Sequence, residues 1–169
     1  SSPAVNRAWN NFYDDVDGIR MEFAQAWAAV AERFAGRPEV AGYDLINEPE
    51  VSAPAAELGP KYEALLHDTA TAIRAAESGA AFEHILFVEP ALPAGDPTFG
   101  LVIPDPDRVG VGTDNVVSAP HNYAESIIPG ITIEQMSAFM ISTATGLGLP
   151  TWIGEYAFWD TEEATLAKV

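Results

Sequence analysis

Four side chains able to move protons or attack carbon stand at the ends of four short apolar runs. Glu48 follows Val40 to Ile46, Glu89 follows His84 to Val88, His121 follows Val116 to Ala119, and Glu155 follows Thr151 to Ile153. One acid after such a run is an ordinary loop residue or helix cap. Four in step point to one site, because in parallel α/β folds the C-terminal strand ends converge on one face. Two contexts are sharper. Gly42-Tyr43-Asp44-Leu45-Ile46-Asn47-Glu48-Pro49 presents an amide and a carboxyl side by side, with Pro49 fixing the exit of the chain. Pro150-Thr151-Trp152-Ile153-Gly154-Glu155-Tyr156 ends on another carboxyl. Two carboxyls brought close together cannot both ionise freely, so one keeps its proton as a donor while the other stays a nucleophile. Cleavage of a glycosidic bond needs that division of labour.

The elements that must position these groups follow from periodicity. Ile19, Phe23, Trp27, Val30 and Phe34 share one face of a helix expected from about Val16 to Ala35 and closed by Gly36. Gly59-Pro60 opens a second helix, with Tyr62, Leu65, Leu66 and Ile73 turned inward and Gly79 as its stop. Thr132 and Gln135 form a capping box for a third helix running through Met136 and Met140 toward Leu147. A fourth begins at Asp160 or Thr161. The apolar runs between the helices read as four buried strands, and their alternation with helices predicts parallel pairing in an α/β layer architecture. Ala91 to Asn115, with four prolines and four glycines, reads as a long irregular loop.

Composition narrows the function classes. Of 169 residues 48% are hydrophobic, enough for a core, and no run approaches the ~20 apolar residues of a membrane span. Eight basic against twenty-five acidic residues leave a net charge of −17, which argues against nucleic acid as a partner. There is no cysteine, hence no disulfide, thiolate metal site or cysteine nucleophile. The three histidines, His67, His84 and His121, show no metal-binding i, i+4 pair, and no metal or cofactor is expected. Gly-x-Ser-x-Gly is absent, and Gly110-Val111-Gly112 lacks the lysine of a phosphate loop.

Asn47-Glu48-Pro49, His121-Asn122-Tyr123 and Gly154-Glu155-Tyr156, in that order, resemble the motifs of retaining glycosidases of glycoside hydrolase family 5. The resemblance implies a (β/α)8 TIM barrel, with Glu48 as general acid/base and Glu155 as nucleophile. It further implies that Asn47 hydrogen-bonds the sugar hydroxyl beside the reacting carbon, that Tyr123 holds Glu155 ionised and oriented, and that His121 lines the subsite of the cleaved bond. A retaining enzyme sets its two carboxyl groups ~5 to 5.5 Å apart. Phe87-Val88-Glu89-Pro90 resembles endoglycoceramidase-like members, which detach sugars from ceramide, and this places Glu89 among the substrate-binding groups. Leu92, Phe99, Leu101, Val102 and Ile103 offer an apolar wall for a lipid, or pin the loop onto the barrel. Trp9, Trp27, Trp152 and Trp159 are able to stack on sugar rings, although Trp27 lies on an apolar helix face.

A complete barrel takes ~250 residues. By the resemblance, residues 1–169 form one domain, a partial TIM barrel of approximately strands 4 to 7 with their helices. Strands one to three and strand eight, with the family's early Arg and His and late Trp, have no counterpart in the sequence. A second chain or copy completing the barrel is therefore expected as a partner, beside an oligosaccharide or glycolipid substrate. The acidic composition and a polymeric or membrane-derived substrate favour a secreted protein. The alternatives are an endo-β-glucanase or mannanase of the same family, and a noncatalytic carbohydrate-binding remnant of the barrel.

Overall fold

The computed structural model describes residues 2–93, 102–110, 112–124, 128 and 130–157. The expected helix at Asp160, and Trp159, Phe99 and Leu101, lie outside the described residues. Along the chain run α1 (Pro3–Tyr13), a 3-10 turn (Val16–Gly18), α2 (Ile19–Phe34), β1 (Gly42–Asp44), β2 (Glu50–Val51) and α3 (Ala55–Glu77). They are followed by β3 (Ile85–Val88), β4 (Leu92–Pro93), α4 (Pro106–Val109), β5 (Val116–Ser118), β6 (His121–Asn122), α5 (Ile133–Gly146) and β7 (Glu155–Tyr156).

All the named strands pair in parallel, β1 with β3, β3 with β5, β2 with β4, and β6 with β7. A further parallel bridge joins Ser118 to Thr151. The expected parallel α/β layering is present, but each pass is split in two. Proline explains the splits: Pro49 separates β1 from β2, Pro90 separates β3 from β4, and Pro120 separates β5 from β6. A proline has no N–H to donate to a ladder, yet its carbonyl still accepts. Leu92 N donates to Pro49 O at 2.7 Å and Gly154 N to Pro120 O at 3.1 Å. The expected strand at Thr151 to Ile153 is accordingly one bridge at Thr151, with the ladder resuming at Glu155–Tyr156.

One face of the sheet carries Tyr43, Leu86, Val88 and Val116, all buried in a cluster with Tyr62, Leu65, Leu66 and Ile73 of α3. The other face is more open. There Gly42 admits the neighbouring strand, since a Cβ at this position would lie 2.2 Å from Ile85 O and 2.8 Å from the Phe87 ring. α3 starts four residues earlier than its Gly-Pro signal, so Pro60 lies inside the helix. α2 turns differently from expectation. Its buried residues are Ala24 and Ala31, seven apart, whereas Ile19, Val30 and Phe34 are exposed. Two small side chains on one stripe let α2 lie close against its neighbour, and Phe23 and Trp27 pack on the edge of the core.

Three aromatic side chains tie the helices to the strand ends near the acids. Trp27 Nε1 donates to Leu45 O (3.1 Å), Tyr13 Oη to Glu50 O (2.8 Å) and Tyr62 Oη to Glu89 O (2.7 Å). These bonds satisfy carbonyls at the C-terminal ends of the passes and fix the segments that bear the site. The N-terminal ends of β1 and β3 are fastened by a buried polar network. Glu77 Oε1 contacts His84 Nδ1 and accepts from Tyr43 Oη, and Glu77 Oε2 pairs with Arg74 at 3.1 Å. Arg74 and the His84 ring also reach the carbonyls of His84 and Arg37, at 2.8 and 3.0 Å. His84 is thus structural.

Candidate active site

Glu48 and Glu155 enter one site from the first and last passes. One carboxylate oxygen of each, together with a ring nitrogen of His121, form a group whose atoms all lie within 4.8 Å of one another. His121 Nδ1 is 3.0 Å from Glu48 Oε1 and 3.6 Å from Glu155 Oε2. The two acids are about half exposed and the histidine is nearly covered, so the carboxyls face an open surface with the ring set behind them. Such a compact trio could bracket a cation. The donors already serve one another, and acid/base and nucleophilic work at a sugar carbon asks for no metal.

Several local devices hold this geometry. Tyr123 Oη donates to Glu155 Oε2 at 2.7 Å, a bond that raises the phenol's pKa above its ordinary value. Asn122, fully buried between His121 and Tyr123, donates to Ile133 O and Ser137 Oγ and accepts from Ala124 N. It locks the segment bearing both neighbours onto the start of α5, whose Thr132–Gln135 capping box is formed as its sequence predicts. Gly154 leaves room for the imidazole, since a Cβ there would sit 3.3 Å from His121 Cδ2 and Nε2. Glu48 itself adopts φ +44°, a left-handed conformation that costs a non-glycine residue about 1–2 kcal/mol.

Glu89 lies elsewhere than among the substrate-facing groups where the sequence reading puts it. It is 3% exposed. Its Oε2 accepts from Glu48 N at 2.9 Å, and its Oε1 lies 3.5 Å from His121 Nε2. Burial is the main cause that pushes its carboxyl up to about 7, against the hydrogen bond from Glu48 N and the pull of His121. Asn47 is exposed beside Glu48. Asp44 is a site residue the sequence reading missed. It neighbours His121 and Glu155 electrostatically, and burial raises its pKa, with His121 lowering and Glu155 raising it further. Strand alternation is the signal that could have found it, because Tyr43 and Leu45 are buried and Asp44 must face the other way.

The aromatic and apolar candidates divide. Trp9 and Trp27 pack against the core. Trp152 is 62% exposed and meets the Phe87 ring edge-on, 6.4 Å between centroids. In the loop after β4, Val102 is buried and bridges Ala91, with a side chain that a Cβ at Gly59 would meet at 3.4 Å, and Ile103 lines a small cavity with Phe139 and Met140 of α5. Both pin the loop, whereas Leu92 is exposed.

Comparisons with known proteins agree on one family. The model of the cellulase family (glycosyl hydrolase family 5) matches residues 4–168. An endoglycoceramidase of Hydra vulgaris is 52% identical over 46 residues, which are 27% of this chain and 9% of that protein. The crystal structure of an endogalactoceramidase is 30% identical and superposes with a TM-score of 0.84, covering 99% of this chain and 37% of the other. Endo-glycoceramidase II from Rhodococcus sp., in a cellobiose-like imidazole complex, is 27% identical with a TM-score of 0.59, over 89% of this chain and 36% of that one. The chain thus spans little more than a third of the enzymes it superposes on. The four parallel passes and their helices are part of a TIM barrel. This chain belongs to glycosyl hydrolase family 5.

Proposed function

We propose that residues 1–169 form one domain, approximately strands 4 to 7 of the barrel, carrying both catalytic carboxyls of a retaining glycosidase. The bond it cleaves is a β-glycosidic link between a glycan and a lipid aglycone of the ceramide type. The observation that carries this reading is the approach of Glu48 and Glu155 within 4.8 Å, with Tyr123 donating to Glu155 alone. Inverting enzymes keep their carboxyls about 6.5–9.5 Å apart to admit a water, and one oxygen of each carboxyl here lies within 4.8 Å of the other, which supports the retaining reading.

In the first step a Glu155 oxygen attacks the anomeric carbon while the bond to the leaving oxygen breaks and Glu48 gives that oxygen its proton. A glycosyl ester on Glu155 results. In the second step Glu48, now a carboxylate, takes a proton from water, whose oxygen attacks the same carbon and frees Glu155. Tyr123 keeps Glu155 aimed, and Asn47, exposed beside Glu48, bonds the hydroxyl beside the reacting carbon. The ceramide preference draws on the endogalactoceramidase and endoglycoceramidase likenesses and on exposed Leu92 near the site-bearing strand ends. A second reading, cleavage of a β-glucan or mannan, draws on the match to the cellulase family.

The test uses the full-length protein. It should release glycan from a β-glycosylceramide, and a 2-deoxy-2-fluoro glycoside should leave a covalent label on Glu155 detectable by mass spectrometry. Glu155→Gln should lose turnover by a factor on the order of 10⁴ or more. Hydrolysis of oligosaccharide but not glycolipid selects the second reading. No label and no turnover on either substrate class points to a noncatalytic remnant.

A further inference from the structure

We infer that Glu89 is a positioning residue for the acid/base, holding the strained backbone of Glu48 through one carboxyl oxygen and facing His121 with the other. This rests on Glu48 being the acid/base. A left-handed glutamate ahead of a proline needs an external restraint, because neither neighbour's regular pairing supplies one. Its amide is turned away from any strand partner and donates to Glu89 Oε2 at 2.9 Å. The restraint is itself rigid: Glu89 is almost fully buried, and its carbonyl accepts from the buried Tyr62 hydroxyl at 2.7 Å.

The second oxygen gives the arrangement a chemical sense. Glu89 Oε1 is buried without a hydrogen-bond partner and lies 3.5 Å from His121 Nε2. The opposite ring nitrogen is 3.0 Å from Glu48 Oε1. The imidazole therefore links a buried carboxyl to the catalytic one, and the proton on the Glu89 side decides what the Glu48 side meets. With Glu89 protonated and Nε2 bare, Nδ1 carries a hydrogen toward Glu48 and supports its carboxylate. With Glu89 ionised and Nε2 protonated, Nδ1 accepts and supports Glu48 in the acid form. Burial, which raises the Glu89 pKa to about 7, keeps both arrangements within reach near neutrality. Glu89 does not need to touch substrate for this.

The experiment compares leaving groups. Protonation by Glu48 matters for a poor leaving group and little for an acidic phenol that departs unaided. Full-length wild type and Glu89→Gln are assayed on two β-glycosides of the same sugar, one with an alkyl alcohol and one with 2,4-dinitrophenol as aglycone. Glutamine can still accept from Glu48 N but cannot exchange a proton with His121. The variant should lose at least about tenfold more kcat/KM on the alkyl glycoside than on the dinitrophenyl glycoside. Its pH profile on the alkyl glycoside should also change shape. Equal losses on both substrates, or no loss, would overturn the inference. Should Glu89→Gln not fold, Glu89→Asp, which retracts the carboxyl by one methylene, is held to the same ratio. If wild type cleaves neither substrate, the glycosidase reading fails instead, so the two failures are distinct.

Discussion

Gly154→Ala should slow catalysis without unfolding the protein, and the size of the effect can be worked from the site. A Cβ at position 154 would stand 3.3 Å from His121 Cδ2 and from Nε2. Carbon atoms settle at about 3.5–4.0 Å, so the ring must give way by roughly 0.2–0.7 Å. It has little freedom to do so. Nδ1 is already 3.0 Å from Glu48 Oε1, Nε2 is 3.5 Å from Glu89 Oε1, and Gly154 N is tied to Pro120 O. A misplacement of about 1 Å in an active site costs on the order of a hundredfold in rate. Scaled in proportion, a few tenths of an ångström should lower kcat roughly three- to twenty-five-fold. The methyl group lies beside a half-open site rather than in the core, so the melting temperature should fall by no more than a few degrees. Steady-state kinetics of the full-length variant on an activated aryl β-glycoside, with a thermal melt beside them, measure both. Wild-type kcat would show that the histidine's position is not held by this glycine. A thousandfold loss with a collapsed melt would show that Gly154 serves the fold rather than the ring.

Three further outcomes follow from the same contacts. Tyr123→Phe removes only the hydroxyl that donates to Glu155 at 2.7 Å, so kcat should fall roughly ten- to a hundredfold with an unchanged melt. Equal rates in the two proteins would take Tyr123 out of the mechanism. Glu77→Ala leaves Arg74, His84 and the Tyr43 hydroxyl without their shared acceptor in a buried place, and should cost about 3–5 kcal/mol in denaturant unfolding; a loss below about 1 kcal/mol would show the network to be dispensable. Glu89 titrates at about 7 in the folded chain, against 4.5 for an ordinary glutamate. Between those values the folded chain keeps a proton that the unfolded chain has released. Its contribution to stability is thus fully present below pH 4.5 and is lost as pH rises through 7. Melting temperatures of wild type minus Glu89→Gln, followed from pH 4 to 8, should decline across that window, and a flat difference would contradict it.

The sequence makes the chemistry of the site more legible than its support. Asn47-Glu48-Pro49 and Gly154-Glu155-Tyr156 could be read because the motifs are local and the strand ends bear them, and Thr132–Gln135 because a capping box lies within one turn. The placement of Glu89 could not be read. Whether an acid after a strand faces substrate or the backbone of its neighbour depends on the relative height of two strand ends, which no local pattern records. α1 was legible in principle, since Ser2 caps it, Pro3 opens it, and Trp9, Phe12 and Tyr13 lie at helical spacing. The α2 pattern misled on orientation. Helical spacing groups Ile19, Phe23, Trp27, Val30 and Phe34 on one face, of which Phe23 and Trp27 pack on the core and the other three are exposed, whereas the buried stripe is Ala24 and Ala31, whose smallness allows the approach.

The three prolines tie these observations together. Glu48, Glu89 and His121 each adjoin one, Pro49, Pro90 and Pro120, and each proline stands where a ladder stops and a shorter one begins. An unbroken strand commits its backbone amides to its neighbours and alternates its side chains strictly, so two adjacent residues cannot both serve one mouth of a barrel. Removing one donor releases the pass from that rule for a residue or two. The Glu48 amide is then available to a side chain, and Glu89 takes it. The carbonyls of Pro49 and Pro120 go on accepting, from Leu92 N and Gly154 N, so the neighbouring passes stay in register across the break. Glu48 and Glu89 thus stand in the interruptions, where the backbone is free to turn a carboxylate off the strand's own alternation, while His121 and Glu155 face each other in the short ladder that resumes beyond Pro120.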